Sequence, residues 1–303
     1  MSETRPCVFI HTNHRQLLGA VVSEYSLRRN SRHADKFDIR VIHAGEQDFM
    51  KAREGQVYLR DGDKRPWLND DLQSFTPLRF MPPELMGYEG RAIVIDPDVF
   101  AVGDVWELLS RDMQGAALMC RRKSGNKGKR GALASSVMLL DCARLTHWKV
   151  REQFAEMFDF SRDYMDWISL KLEDRSSIGL FENRWNDFDH LDQDTRLLHN
   201  TKRRTQPWKT GLPVDFRPAD TFRLFPPRHW IRRARRALFG DYRFTGTYKQ
   251  HPDPNQEQFF FGLLRECLDA GLVTEAMLQD EMARNHIRHD ALDILRQAAN
   301  LAA

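Results

Sequence analysis

The 303-residue chain is 41% hydrophobic and 29% charged, long enough for one large α/β domain or two smaller ones with a substantial core. That excludes a helical peptide hormone, a disulfide-stapled mini-domain and a disordered chain. Its 46 Lys and Arg against 43 Asp and Glu leave a formal charge of +3, too small an excess to argue for a nucleic-acid partner from total charge. No stretch approaches the roughly 20 apolar residues of a membrane span, and Met1 to Pro6 lacks the charged-then-apolar build of a secretory signal. A cytoplasmic protein is expected. Cys7, Cys120, Cys142 and Cys267 lie far apart, and three of them sit in apolar runs, which reads as reduced, structural thiols.

Cys7-Val8-Phe9-Ile10-His11 reads as a short apolar strand, followed by polar Thr12-Asn13-His14 and a helical pattern through Leu17, Leu18, Val21, Val22, Tyr25 and Leu27. Phe37 to Ile42 reads as the next strand. A βαβ start predicts a mostly parallel sheet with ligands at the carboxyl ends of its strands, which puts Thr12 and Asn13 at a binding rim. Residues 45–75 are polar and irregular, with Asp61-Gly62-Asp63 as turn material, and carry no assigned element. Arg91 to Ile95 is a strong strand running straight into Asp96-Pro97-Asp98.

Ala116 to Cys120 and Ser136 to Leu140 are two further apolar strands. Between them, residues 121–130 carry six basic residues and no acid, read as a solvated surface connection or as a lid that contacts an anion. Beyond residue 145 the pattern turns helical, around Trp148 to Phe158 and Tyr164 to Leu172, and then becomes loop. From Asp220 the chain is Arg-rich and then helical, so the expected division is a domain over 1–219 and an extension over 220–303. In that extension Trp230, Ile231, Ala234 and Leu238 share one helical face, with Arg232, Arg233, Arg235 and Arg236 on the other. The segment 228–239 reads either as a contact with an anionic membrane surface or as a helix docked through its apolar face. A nucleic-acid role is disfavoured, because no aromatic-interleaved basic groove accompanies it.

Carboxylates one residue apart at a strand end, as in Asp96-Pro97-Asp98, can both aim oxygens at one hard cation such as Mg²⁺ or Mn²⁺. Alone, such a pair is also common in turns and caps. The stretch Ile95 to Leu108, with Gly103-Asp104 and Glu107-Leu108 after the paired acids, resembles the Asp-x-Asp segment of family 8 glycosyltransferases of the GT-A fold. Arg79-Phe80-Met81-Pro82-Pro83-Glu84-Leu85 upstream, Ser135 to Asp141 downstream, and Arg184-Trp185-Asn186 with His199-Asn200-Thr201 and Gln206-Pro207-Trp208 are similar to further family segments in the same order. The resemblance covers roughly residues 7–210.

The resemblance implies a Rossmann-like α/β domain that transfers a hexose from a nucleotide diphosphate sugar, expected to be UDP-linked, to a glycan, lipid or protein acceptor, with retention of configuration. It implies Mn²⁺ or Mg²⁺ held by Asp96, Asp98 and His199, with Arg79, Ser135, Trp208 and Lys209 on the donor. It also implies base and ribose contacts at Thr12 and Asn13, and a sugar contact by Asp166. Outside that frame Arg79 is a salt-bridge residue, His199 a core or turn histidine, Trp208 a packed aromatic, and Thr12 and Asn13 a helix N-cap. Met165 stands where the family has a glutamine, Ala134 where it often has an asparagine, and Asn200 to Arg204 lacks its usual glycine. Those departures leave open a binding protein without turnover. A nucleotidyltransferase is the other alternative, disfavoured because Cys7 to Arg15 holds no glycine for a phosphate loop.

Overall fold

The computed structural model describes residues 4–124, 131–216 and 246–302, together with Ile231, Ala234 and Leu238. By contact density the chain divides after Thr201 into two units, and each is described by itself.

In the first unit, β1 (Cys7–Thr12) is buried along its whole length, which suits a central strand covered on both faces. Asn13 caps the 3-10 turn His14–Gln16 by accepting from the Arg15 amide, and α1 (Leu17–Asn30) follows. β2 (Asp38–His43) completes the βαβ start expected from the apolar pattern. The stretch without assigned elements contains α2 (Asp48–Lys51) and a hairpin of β3 (Val57–Arg60) and β4 (Asp63–Pro66). Asp61 and Gly62 form its two-residue loop, both at positive φ, 56° and 76°. This is the Asp-Gly loop whose twist suits a tight hairpin, and the charged strand residues concealed it.

After α3 (Pro82–Leu85) come β5 (Arg91–Ile95), β6 (Val99–Ala101), α4 (Trp106–Leu109), β7 (Leu118–Arg122) and β8 (Leu133–Asp141). Then follow α5 (Val150–Ala155), α6 (Tyr164–Ile168), β9 (Ile178–Leu180), β10 (Asp187–Phe188) and β11 (Leu197–His199). The main sheet has the order β2-β1-β5-β8-β7-β9. Only β8 runs against the others, so three of the five ladders are parallel. This is the α/β architecture with a mixed, mostly parallel sheet that the alternating pattern predicts.

Alternate residues of β1 serve two cores. Cys7 and Phe9 join an aromatic-rich cluster containing Trp67, Phe80, Trp148 and Trp167, where Phe80 stacks on Trp167 at 4.8 Å. Val8 and Ile10 join an aliphatic cluster with Ile93, Ile95 and Leu27 on the opposite face.

In the second unit the helix Pro254–Asp269 is capped by Asp253, and helices Glu275–Ala283 and Ala291–Ala302 follow it. Most of 228–239 lies outside the described residues. Ile231 and Leu238 are helical and 55% and 75% exposed. Among the described residues no helix is long and apolar enough to cross a membrane.

All four cysteines are free and buried, and burial pushes each thiol up to about 12. The native protein should therefore resist a thiol reagent at pH 8 and react at four sites once unfolded, as mass spectrometry of alkylated protein would show. A raised folded pKa has a second consequence: above the ordinary thiol range the unfolded chain loses protons that the folded chain keeps. Stability should then fall as pH climbs from about 8.5 towards the folded value, measurable as a declining urea midpoint.

Candidate functional site

The site is built on a three-residue ladder. β6 pairs antiparallel with β11, setting Val99 opposite His199 and Ala101 opposite Leu197, and the Asn200 amide donates to the Asp98 carbonyl at 3.2 Å. The imidazole of His199 thus lies beside Asp98, 101 positions earlier in the chain. The other side of β6 is satisfied by α1. Ser23 Oγ donates to the Val99 carbonyl at 2.6 Å, the Ala101 amide donates to Ser26 Oγ at 2.8 Å, and Asn30 Nδ2 donates to the Ala101 carbonyl at 2.7 Å. At the turn itself Gly19 is required by contact, since a Cβ there would stand 2.7 Å from the Pro97 carbonyl oxygen.

Asp96, Asp98 and His199 each offer a ligand atom, all within 4.8 Å of one another. His199 Nδ1 lies 2.8 Å from Asn186 Oδ1, and Asn186 Nδ2 donates to Ser136 Oγ at 3.0 Å. In this arrangement Nδ1 carries a proton, and Nε2 faces Asp98 Oδ1 at 3.2 Å. Two lone-pair-bearing atoms at that separation need positive charge at or between them, either a proton on Nε2 or a cation. Two carboxylates and one imidazole suit Mn²⁺ or Mg²⁺ in their donor chemistry, with an orienting amide behind the imidazole.

Asp96 is buried and held from both sides. Arg79 Nε donates to its Oδ1 at 2.9 Å, Arg79 Nη2 binds its Oδ2, and His11 Nε2 lies 2.9 Å from Oδ1. Burial alone would raise the Asp96 pKa, but the Arg79 charge, with His11 and His199, outweighs it and holds the carboxyl below the usual range. For His11 the loss of hydration dominates and lowers its pKa. Arg79 Nη1 donates to Ser135 Oγ at 2.9 Å, and Ser135 in turn donates to the Ile168 carbonyl at 2.5 Å. Arg79, Ser135, Asp96, Asp98 and His199 therefore share one connected site, in which Arg79 makes the salt bridge that its isolated chemistry allows.

Thr12 and Asn13 sit at the end of β1, the strand paired with β5. Thr12 is buried and donates to the Asn13 carbonyl. Asn13, besides capping the turn, donates to Ser74 Oγ at 3.0 Å and lines a cavity of about 270 Å³ with Gly45, Met50, Asn69 and Asp70. Asp166 lies on α6 with its carboxylate 2.6 Å from Lys171 Nζ, while Asp163 caps that helix. Trp208 and Lys209 belong to the second unit. Trp208 packs on Phe260 at 4.7 Å between ring centres, and Lys209 is fully buried and paired with Asp215.

Three residues of the site were not singled out from the sequence. His11 read as the last residue of an apolar strand, and Asn186 as part of a motif without a role. Lys123 read as one of many bases in a loop. Its ammonium lies within electrostatic reach of Arg79 and Asp96; loss of hydration first, and then the Arg79 charge, lower its pKa, while Asp96 raises it.

No protein-family model matches the chain, and no curated protein matches it. Among solved structures it is similar to the glycosyltransferase GlyE of Streptococcus pneumoniae TIGR4, with a TM-score of 0.47 and 16% identity, covering 68% of this chain and 56% of that one. It is also similar to the galactosyltransferase LgtC in complex with donor and acceptor sugar analogues, with a TM-score of 0.45 and 13% identity over 67% of this chain and 89% of that one. Mouse xyloside xylosyltransferase 1 matches with a TM-score of 0.40 and 13% identity over 64% of this chain and 97% of that one. The chain thus spans a little over half of GlyE.

Gly19→Ala should displace the Asp96-Pro97-Asp98 turn and lower stability by about 1–3 kcal/mol, overriding the helical preference for alanine. Gly262, in the helix Pro254–Asp269, has no atom within 4 Å of an added Cβ, so Gly262→Ala should stabilise by up to about 1 kcal/mol. Urea titration of both variants checks the pair.

Proposed function

We propose that this chain is a metal-dependent glycosyltransferase of the GT-A fold. It moves a hexose from a UDP-linked donor to an acceptor hydroxyl with retention of configuration. The observation that carries the reading is the approach of His199 Nε2 to Asp98 Oδ1 at 3.2 Å, next to Asp96 at the carboxyl end of β5. That edge of an α/β sheet is where ligands bind.

When bound, Mn²⁺ or Mg²⁺ supplies Lewis-acid stabilisation of the negative charge that grows on a departing diphosphate. Asp96, Asp98 and His199 are the proposed ligands. Arg79 keeps Asp96 ionised and fixes the orientation of its carboxylate, so the protein need not reorganise as charge develops. Asn186 holds the imidazole with Nε2 turned towards Asp98. Lys123 adds positive potential over the same carboxylate. Asn13, which lines the cavity beside β1, and Thr12 before it are the proposed base and ribose contacts, and Asp166 is the proposed sugar contact. The sugar carbon would gain oxocarbenium character as the bond to the diphosphate breaks.

A thermal-shift series tests the reading. A UDP-sugar should raise the melting temperature only with Mn²⁺ present, by an amount equivalent to about 2.7 kcal/mol at a hundredfold excess over the dissociation constant. Asp98→Asn should abolish the shift, and Asn186→Ala should weaken Mn²⁺ binding by about 10–100-fold in a calorimetric titration. Stabilisation by CDP- or GDP-sugars alone would overturn the donor assignment. Absence of donor hydrolysis with Mn²⁺ would overturn the enzymatic one.

A further inference from the structure

Away from the carboxylates, a second cavity of about 330 Å³ is lined by Arg122, Leu133, Arg175, Ile178 and Leu180. Its chemistry has two parts. Leu133, Ile178 and Leu180 supply an apolar wall, and Leu180 is 44% exposed. Arg122 and Arg175 supply two guanidinium groups, and neither forms an ion pair among the described residues. The one side-chain hydrogen bond recorded for either there runs from Arg122 to the Gly131 carbonyl at 3.4 Å. Elsewhere on this unit arginines meet carboxylates, as Arg15 does with Asp70 and Arg111 with Glu182. Two like charges on one small apolar-walled cavity, with no acid in the lining, are arranged for a ligand that brings its own negative charge.

The sheet register gives the cavity its place. β5 and β7 both run antiparallel to β8 and are therefore parallel to each other, so Arg122 ends β7 on the same edge of the sheet where Asp96 follows β5. Two strand spacings separate β5 from β7, roughly 10 Å. Leu133 opens β8 on that edge, opposite Arg122.

We propose that this cavity binds a phosphate group carried on a hydrocarbon stem, the phosphate between Arg122 and Arg175 and the stem on Leu133, Ile178 and Leu180. On the glycosyl-transfer reading above, on which this part rests, the ligand belongs to the acceptor, held on the same rim as the reacting centre. A membrane lipid headgroup and a soluble alkyl phosphate offer the same chemistry.

The test is calorimetric titration of the full-length protein with octyl phosphate, inorganic phosphate and octyl glucoside, repeated with the Arg122→Gln/Arg175→Gln double variant. Octyl phosphate should bind wild type at least tenfold more tightly than either control, and the double variant should lose at least tenfold. Co-sedimentation with phosphatidic-acid vesicles separates the sources. Vesicle binding lost in the double variant marks a lipid, and octyl phosphate binding without vesicle binding marks a soluble ligand. Equal binding of octyl phosphate to wild type and double variant, equal binding of inorganic phosphate or octyl glucoside to wild type, or no binding of octyl phosphate overturns the proposal. Stabilisation by UDP-sugar with Mn²⁺ should be unchanged in the double variant. Its absence from wild type overturns the transfer reading and leaves the cavity assignment to stand or fall on the titrations.

Discussion

Three residues of antiparallel pairing between Val99–Ala101 and Leu197–His199 bring the His199 imidazole beside Asp98. A short strand just beyond the main sheet would ordinarily leave one row of backbone groups unpaired. Here Ser23, Ser26 and Asn30 of α1 satisfy that row. The strand is thus fixed from two directions, and the turn between it and β5 has little freedom. Asp96 and Asp98 inherit that rigidity, as does the imidazole that the ladder sets beside them. Gly19 belongs to the same construction, because only a residue without a side chain lets α1 approach the Pro97 carbonyl.

The charges around this turn form two linked sets. Arg79, His11 and Ser135 surround Asp96 and hold it ionised despite burial. A buried carboxylate without such partners would take up a proton. His199 is aligned by Asn186, whose side-chain amide is anchored on Ser136 and whose backbone carbonyl accepts from Arg121. Arg121 also lies over the Phe188 ring at 4.1 Å. One set supplies a fixed negative charge and the other a fixed imidazole orientation. Their shared boundary, between Nε2 and Asp98, is the place where added positive charge gains most.

Along the carboxyl edge of the sheet, chemical character changes from strand to strand. The β1 end borders a cavity lined by Asn13, Met50, Asn69 and Asp70, the β5 end carries the acids, and the β7 end carries Arg122 over an apolar wall. Because β8 alone runs the other way, the ends of β1, β5, β7 and β9 face the same side. A substrate with distinct parts can therefore be met by distinct surfaces on one rim, which is the usual advantage of building a site at strand ends.

Much was legible in the sequence where one physical signal dominated. Continuous apolar runs marked β1, β5 and β8, helical spacing marked α1, and dispersed cysteines in apolar runs marked buried thiols. Asp96 and Asp98 stood out as paired acids at a buried strand's end, but the pair alone is also common in turns and caps, and its metal reading, like that of His199, rested on family resemblance. The hairpin at Asp61-Gly62 was hidden because its strands are short and charged, so period-2 alternation never emerged. The roles of His11, Asn186 and Lys123 were equally invisible, since each depends on a neighbour distant along the chain. Local sequence determines which segments become strands and helices, because backbone propensity and apolar periodicity act over a few residues. Only tertiary structure decides which polar groups meet, because the pairing of Asp98 with His199 and of Asp96 with Arg79 depends on strand register and helix packing, interactions that join segments the chain itself keeps apart.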